Sequence, residues 1–278
     1  MSSEPGAVDA GRYDERYYLE SCGGNEFFKR YGPRVVKPVL AHALARARVE
    51  AGMTALDVGC GRGELLYQLK QKGARAVGLD YAAPGLALAK KTSAADVLLA
   101  DAKKLPFKDA SFDRVFLLGV VDHLREWELE ACLAELARVI KPDGLLLTNT
   151  CANTDYHKRL TYALRKRTAA ALGLKEPAAP RSSEDEELHV NEHCAEDLER
   201  LFAKTGWRGD VEFRPSERYV VREIYGETLP EDFPIKPASR ASSLWHGLLL
   251  RGPWKRFFAR ELFCVLERGS RKATIKRG

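Results

Sequence analysis

The chain alternates short apolar runs with stretches whose apolar residues recur every three to four positions, and each change of period marks a change of element. Val36, Val39, Leu40, Ala43, Leu44 and Ala47 fall on one face of a helix predicted over 33–50, which Gly52 ends. Thr54 to Val58 predicts a strand, Glu64 to Lys72 a helix closed by Gly73, and Ala74 to Leu79 the next strand. A helix over 84–91 and strands over 96–100 and 114–120 follow. The helix predicted over 126–140 carries Leu129, Cys132, Leu133, Leu136, Val139 and Ile140 on one stripe. Lys141, Pro142, Asp143 and Gly144 then predict a turn before a fifth strand over 145–148.

Strands that are near-continuous apolar runs, separated by helices, predict a parallel sheet covered on both faces. Beyond Thr150 the pattern changes. A helix with a basic face is predicted over 155–174, carrying Lys158, Arg159, Arg165, Lys166 and Arg167. A Pro/Ala and then acidic loop follows over 175–187, and an amphipathic helix over 195–205 ends at Gly206. Val211 to Phe213 and Leu262 to Leu266 supply two late strands. The expected fold class is α/β: a doubly wound, mostly parallel seven-stranded sheet with helical cap insertions at 150–192 and 215–258. The expected division is an N-terminal lid segment over 1–32, a ligand-binding core over 33–150, remaining core elements with cap insertions over 151–260, and a last strand with a basic tail over 261–278.

Composition narrows the class. A chain of 278 residues with 45% hydrophobic content can bury one large domain, or one domain with a modest cap, which excludes fibrous and wholly disordered readings. The net charge is +6, yet residues 251–278 alone carry +7 and the remaining 250 sum to −1. That asymmetry argues against a surface basic throughout, as many nucleic-acid binders have. The six cysteines are scattered without a CxxC pair and read as reduced thiols. Met1 to Glu15 has no basic region followed by an apolar one, so no secretory leader is expected; no run reaches eighteen apolar residues, so no spanning helix is expected. A cytoplasmic location is the resulting expectation.

In open α/β sheets ligands bind beyond the carboxyl ends of the strands. There the chain reads Leu56-Asp57-Val58-Gly59-Cys60-Gly61-Arg62-Gly63-Glu64. Glycines in a strand-to-helix turn let a ligand approach the backbone and meet the N–H groups of the helix start. A dinucleotide turn needs glycine at the sixth position, where this chain has Glu64, and Asp57 two residues before the first glycine would repel a diphosphate. A carboxylate there suits an ammonium group. The second strand ends in Asp80, where an acid can accept from both hydroxyls of a ribose, each bond being worth roughly 1.5–3 kcal/mol. The third ends in Asp101, placed to take the exocyclic amine of an adenine. Ribose, adenine and ammonium together describe S-adenosyl-L-methionine.

From about Met53 to Asn149 the chain resembles the class I S-adenosylmethionine-dependent methyltransferases, in particular their type 11 small-molecule group. LDVGCGRGE is similar to the first motif of that family, GLDY to its ribose-binding strand end, and ADAKKLPFKDASFDRVF to the adenine loop and fourth strand. GVVDHL and KPDGLLL resemble the fourth-strand end and the fifth strand. The resemblance implies a Rossmann-like methyltransferase fold and cofactor contacts by Asp57, Gly59, Cys60, Gly61 and Gly63. It implies Asp80 on the ribose, Tyr81, Asp101 and Ala102 at the adenine, and Leu118 and Gly119 near the sulfonium. Many relatives carry a small polar residue near Leu118 or Gly119, which this chain lacks. Tyr18, within Arg16-Tyr17-Tyr18-Leu19, is similar to a tyrosine that in some relatives closes over the cofactor from a leading helix.

Each of these has a plainer reading. Glycine triplets often mark only tight turns, Asp101 can cap a helix, and Cys60 suits packing better than nucleophilic attack. For the acceptor's proton, the candidate bases are His123, His189 and His193, with His123 first because it stands at a strand end. His189 and His193 are four residues apart, but a metal would need ligands from elsewhere, and none is expected.

The fourth strand lacks the Asn/Asp-Pro-Pro-aromatic turn used on flipped adenines or glutamine amides, and no Pro-Cys nucleophile follows it. The leading expectation is methyl transfer to an O or N atom of a small or medium acceptor: a metabolite, a sugar or a lipid-linked molecule. Against it stand an RNA or protein methyltransferase and a noncatalytic cofactor-binding protein. No DNA partner is expected, and RNA is set behind the small acceptor because no recognised RNA-binding module accompanies the basic residues. The segment 244–260 mixes Trp, Leu, Arg and Lys. It reads first as a buried cap helix with a solvated basic rim, and second as a peripheral membrane contact.

Overall fold

The computed structural model describes residues 8–150, 153–177, 179 and 188–269. The strands are β1 (Thr54–Val58), β2 (Arg75–Asp80), β3 (Asp96–Leu99), β4 (Phe112–Leu118), β5 (Ile140–Thr150), β6 (Trp207–Arg214) and β7 (Glu261–Arg268). They form one sheet in the order β3-β2-β1-β4-β5-β7-β6. All pairs from β3 to β5 are parallel, and β7 runs antiparallel between β5 and β6. The chain winds outward from β1 to β3 and returns to the other side of β1 at β4, so the switch point opens at the carboxyl ends of β1 and β4.

Alternation along the strands sorts side chains onto two cores. In β4, Val115 and Leu117 pack with Leu129, Leu133 and Leu136 of the Glu126–Val139 helix, whereas Phe116 between them faces Leu40, Leu44 and Leu66. Each fully buried Leu or Phe contributes about 1.5–3 kcal/mol, so both faces of the sheet are held by helices that the apolar period marks out. Trp207 at the start of β6 is buried and donates its indole N–H to the Leu133 carbonyl at 3.2 Å, tying the last strands to the same core.

The departures from the sequence reading have local causes. Residues 141–144 do not leave the sheet as a turn: Ile140 pairs with Phe112 and Leu145 with Arg114, so the four residues stay inside β5 as an irregularity. The helix expected over 155–174 divides into His157–Leu160 and Tyr162–Ala171. Thr161 stands at the break, its hydroxyl donating to the His157 carbonyl at 2.6 Å. The acidic residues 184–187 and the basic tail past Gly269 lie outside the described residues. The buried cap helix expected within 244–260 is buried on one side only. Across Arg240–Arg251, His246 is enclosed and stacks on Tyr219 with ring centroids 4.1 Å apart, while Leu244, Trp245 and Leu248 are exposed. Among the described residues, no helix is long and apolar enough to cross a membrane.

Candidate functional site

The turn after β1 begins at a position that tolerates no side chain. Gly59 adopts φ 74°, and a Cβ there would lie 2.5 Å from the Val120 side chain. The N–H groups of Gly59 and Cys60 donate to the Leu79 carbonyl at 2.8 and 2.9 Å, and Gly61 N–H donates to Asp80 Oδ2 at 2.8 Å. Asp80 Oδ1 accepts from Ala82 N–H at 3.0 Å and from the Tyr18 hydroxyl at 3.2 Å. Burial holds the Asp80 carboxyl above its ordinary range, and the N–H groups of Ala82 and Gly61 oppose that rise.

Arg62 was not marked in the sequence as more than a loop residue, yet it is buried and organises the N-terminal segment. Its guanidinium pairs with Glu64 at 2.8 Å and donates to the carbonyls of Tyr18, Cys22 and Gly23 at 2.6, 3.2 and 3.0 Å. It also lies 5.4 Å from the Phe28 ring centre. Residues 17–28 are thereby fastened across the glycine turn, with the Tyr18 ring over Gly61 and Gly85. The signal available in the sequence was a charged residue between two glycines of a turn too tight to leave it in solvent.

These elements enclose a cavity of about 770 Å³, within the range of ligand sites. At one end it is lined by Gly59, Gly61, Asp80 and Tyr81, with Tyr18 across from them in the N-terminal segment; Asp101 and Ala102 follow β3, and Leu118 and Gly119 close β4. Asp101 accepts from Lys103 N–H at 2.9 Å, and the Lys103 ammonium bridges Asp101 and Glu128 at 3.1 and 2.9 Å. Gly119 N–H donates to Asn149 Oδ1 at 3.0 Å, and the Asn149 amide donates to buried Glu261 at 2.8 Å, which fixes the end of β4 from behind.

Further along the same cavity stand Tyr13, His123 and His189. Tyr13 Oη is 3.0 Å from His123 Nδ1, and the rings of His123 and His189 meet edge-on at 4.9 Å. Burial raises the Tyr13 phenol well above its ordinary pKa, so it stays protonated. Lys158, Arg159, Arg165 and Arg260 also line the cavity, and Arg159 pairs with Glu192.

Four sequence candidates do not reach this wall. Asp57 is enclosed in β1, where burial, with the Asp80 and Glu64 carboxylates nearby, pushes its carboxyl up to about 8. The Cys60 side chain turns into the core against Leu66 and the backbone of Gly78. Gly63 permits close helix packing, since a Cβ there would lie 2.7 Å from the Ala89 backbone. His193 is buried beside the Ala195–Lys204 helix, and burial lowers its pKa. Nor do the histidines share a metal-ligand cluster. The grouping that occurs among the described residues is Asp155, Cys194 and Glu196, in which the Cys194 thiol donates to Asp197 at 3.0 Å and Glu196 pairs with Arg256.

Residues 56–148 match the family model of a methyltransferase domain. Over these residues the chain is similar to S-adenosylmethionine-dependent methyltransferases. A curated relative, the malonyl-[acyl-carrier protein] O-methyltransferase of Serratia marcescens, is 38% identical over 36% of this chain and 39% of its own length. The demethylmenaquinone methyltransferase of Thermus thermophilus is 34% identical over 50% of this chain and 60% of its own length. The chain thus spans less than two thirds of either relative. Among solved structures, a SAM-dependent methyltransferase from Archaeoglobus fulgidus aligns with a TM-score of 0.53 at 18% identity, covering 87% of this chain and 99% of that one, a likeness of fold.

The cofactor of this methyltransferase family is S-adenosylmethionine. The residues present fit it: an acid ends β2 for a ribose, a second acid follows β3, and the glycine turn leaves space at Gly59 and Gly61 where side chains would intrude.

Proposed function

We propose that the protein transfers a methyl group from S-adenosylmethionine to an oxygen or nitrogen atom of a small or medium acceptor. The observation that carries this reading is the 3.0 Å contact between Tyr13 Oη and His123 Nδ1, set in the same cavity as Asp80. The bound cofactor supplies an electrophilic methyl group on a sulfonium, so the protein's main task is to hold the acceptor in line, about 3 Å away. In this reading Asp80 holds the ribose, Asp101, Ala102 and Tyr81 surround the adenine, and Tyr18 closes over them. Leu118 and Gly119 border the reacting centre, steadied by Asn149 and Glu261. Asp57 acts from beneath, its carboxyl ionising when an ammonium group is bound above it.

His123 is the proposed base. In the tautomer that donates Nδ1–H to the Tyr13 oxygen, Nε2 is the basic nitrogen, and a base so oriented accelerates proton loss by about 10²–10⁴-fold. Lys158, Arg159, Arg165 and Arg260 in the cavity lining favour an acceptor carrying an acidic group, a carboxylate or a phosphate. The free cysteines Cys22, Cys60, Cys132, Cys194 and Cys264 fit a reducing compartment, and we assign the protein to the cytoplasm.

The test is a methyl-transfer screen with labelled cofactor over acidic and neutral acceptors, with calorimetry of cofactor binding. Wild-type protein should bind the cofactor and methylate an acidic acceptor, and Asp80→Ala should do neither. Absence of cofactor binding by folded wild-type protein would sink the reading at its base. Binding without transfer to any acceptor class would leave a noncatalytic cofactor-binding protein.

A further inference from the structure

We propose that the outer face of the Arg240–Arg251 helix, continued by Trp254, Lys255 and Arg256, docks the protein peripherally on an anionic lipid surface. Leu244, Trp245 and Leu248 occupy positions i, i+1 and i+4, one side of that helix, and are 70%, 64% and 51% exposed; Trp254 just beyond is 64% exposed. They cannot fold inward, because the opposite side is committed: His246 is stacked on Tyr219 and lies edge-on to Phe258. An exposed group of large apolar residues on a fixed helix marks an interaction surface.

Charge selects the occupant. From Phe233 to Arg260 the chain has six cations, Lys236, Arg240, Arg251, Lys255, Arg256 and Arg260, and no acidic residue. Of these, Arg240 and Arg256 have carboxylate partners, in Glu227 and Glu196. Tryptophan and leucine beside a band of Lys and Arg is the pattern of a helix lying at a negatively charged membrane interface. A second copy of this chain on the same face would set two such segments against each other, cation to cation, which argues against self-association.

The neighbouring cap extends the surface. His157 Nδ1 lies 3.0 Å from the Phe257 carbonyl, and its ring packs on Phe257 and Phe258, so the His157–Ala171 region adjoins the docking segment. There Leu160 and Leu164, also i and i+4, are 59% and 65% exposed. Lys158, Arg159, Arg165 and Arg260, which line the cavity, belong to these same two segments. The surface and part of the cavity lining are built from one set of elements, and the docking itself does not depend on which acceptor enters.

The test is co-sedimentation of the full chain with phosphatidylcholine vesicles, with and without one third phosphatidylglycerol, at low and high salt. Binding to the anionic vesicles alone is expected, falling steeply with salt. It should drop by at least about tenfold in Trp245→Ser/Leu248→Ser and in Arg251→Gln/Lys255→Gln. Thermal melting and cofactor binding, unchanged in each variant, would show that the fold is intact, with Trp254→Ser as a milder substitute should the first pair unfold. Failure of folded wild-type protein to sediment with anionic vesicles overturns the proposal, as does undiminished binding by folded variants. So does a concentration-dependent dimer in sedimentation velocity that Trp245→Ser/Leu248→Ser abolishes, for then a second copy covers this face.

Discussion

The Arg62 guanidinium donates to the Tyr18 carbonyl at 2.6 Å, joining the glycine turn after β1 to a segment 44 residues earlier in the chain. The same guanidinium holds Glu64 and the carbonyls of Cys22 and Gly23. One buried cation therefore satisfies four acceptors, and its removal takes a donor from three carbonyls and leaves Glu64 uncompensated.

Arg62→Ala is expected to destabilise the fold by about 3–5 kcal/mol, the usual cost of breaking a buried pair by removing one partner. Arg62→Ala/Glu64→Gln should recover part of that loss. Denaturant unfolding checks both. A single mutant within about 1 kcal/mol of wild type would show that the N-terminal segment is held by other contacts.

In the proposed binding mode, the Tyr18 hydroxyl and a ribose would compete for the Asp80 carboxylate. An ionised Asp80 offers about four lone-pair sites, and the N–H groups of Gly61, Ala82 and Tyr81 with the Tyr18 hydroxyl already approach them. Two ribose hydroxyls therefore need the Tyr18 hydroxyl to let go. Tyr18→Phe should tighten S-adenosylmethionine binding by roughly 2–10-fold, the worth of one ordinary hydrogen bond, whereas Asp80→Ala should weaken it by about 10²-fold or more. Calorimetry on both variants decides. Weaker binding by Tyr18→Phe would mean that the hydroxyl moves onto the ligand instead.

Burial pushes the Asp57 carboxyl to about 8 and the Glu261 carboxyl to about 7, both far above their values in an unfolded chain. Between about pH 4 and these raised values the folded state binds more protons than the unfolded one, so stability falls as pH rises through that window. Asp57→Asn should flatten the fall when unfolding is followed at pH 5, 6.5 and 8. An ammonium near Asp57 favours its ionised form, so the stabilisation given by the cofactor should grow from pH 6 to 8 in wild type and less in the variant. An equally steep decline in Asp57→Asn would remove Asp57 as its source.

What could be read in advance follows from the range of the interactions. β1 has the predicted bounds, and the helix at Glu126–Val139 is one residue shorter than its stripe, because period and turn residues are local. The Gly59 turn and Asp80 were legible for the same reason: a strand end followed by glycine or by an acid is a signal within ten residues. The contacts of Arg62 with Tyr18 and of Tyr13 with His123 join residues 44 and 110 apart, and nothing in either neighbourhood announces them. Enclosure of Asp57 behind the cavity wall is likewise a property of the packed sheet. The Arg240–Arg251 helix misled differently: its apolar residues imply burial, but Leu244, Trp245 and Leu248 are more than half exposed.

The pairing of Tyr13 with His123 separates positioning from proton transfer. If Nε2 of His123 takes the acceptor's proton, His123→Ala should lower kcat by about 10²–10⁴-fold with cofactor affinity unchanged. Tyr13→Phe removes the oxygen that accepts Nδ1–H and should cost less, about tenfold in kcat, while shifting the acidic limb of the pH–rate profile. Single-turnover methyl transfer across pH 5.5 to 9 reads both effects. A His123→Ala enzyme retaining kcat within about threefold would assign the reaction to positioning alone, leaving the line from Asp80 to Gly119 as the functional part of the cavity.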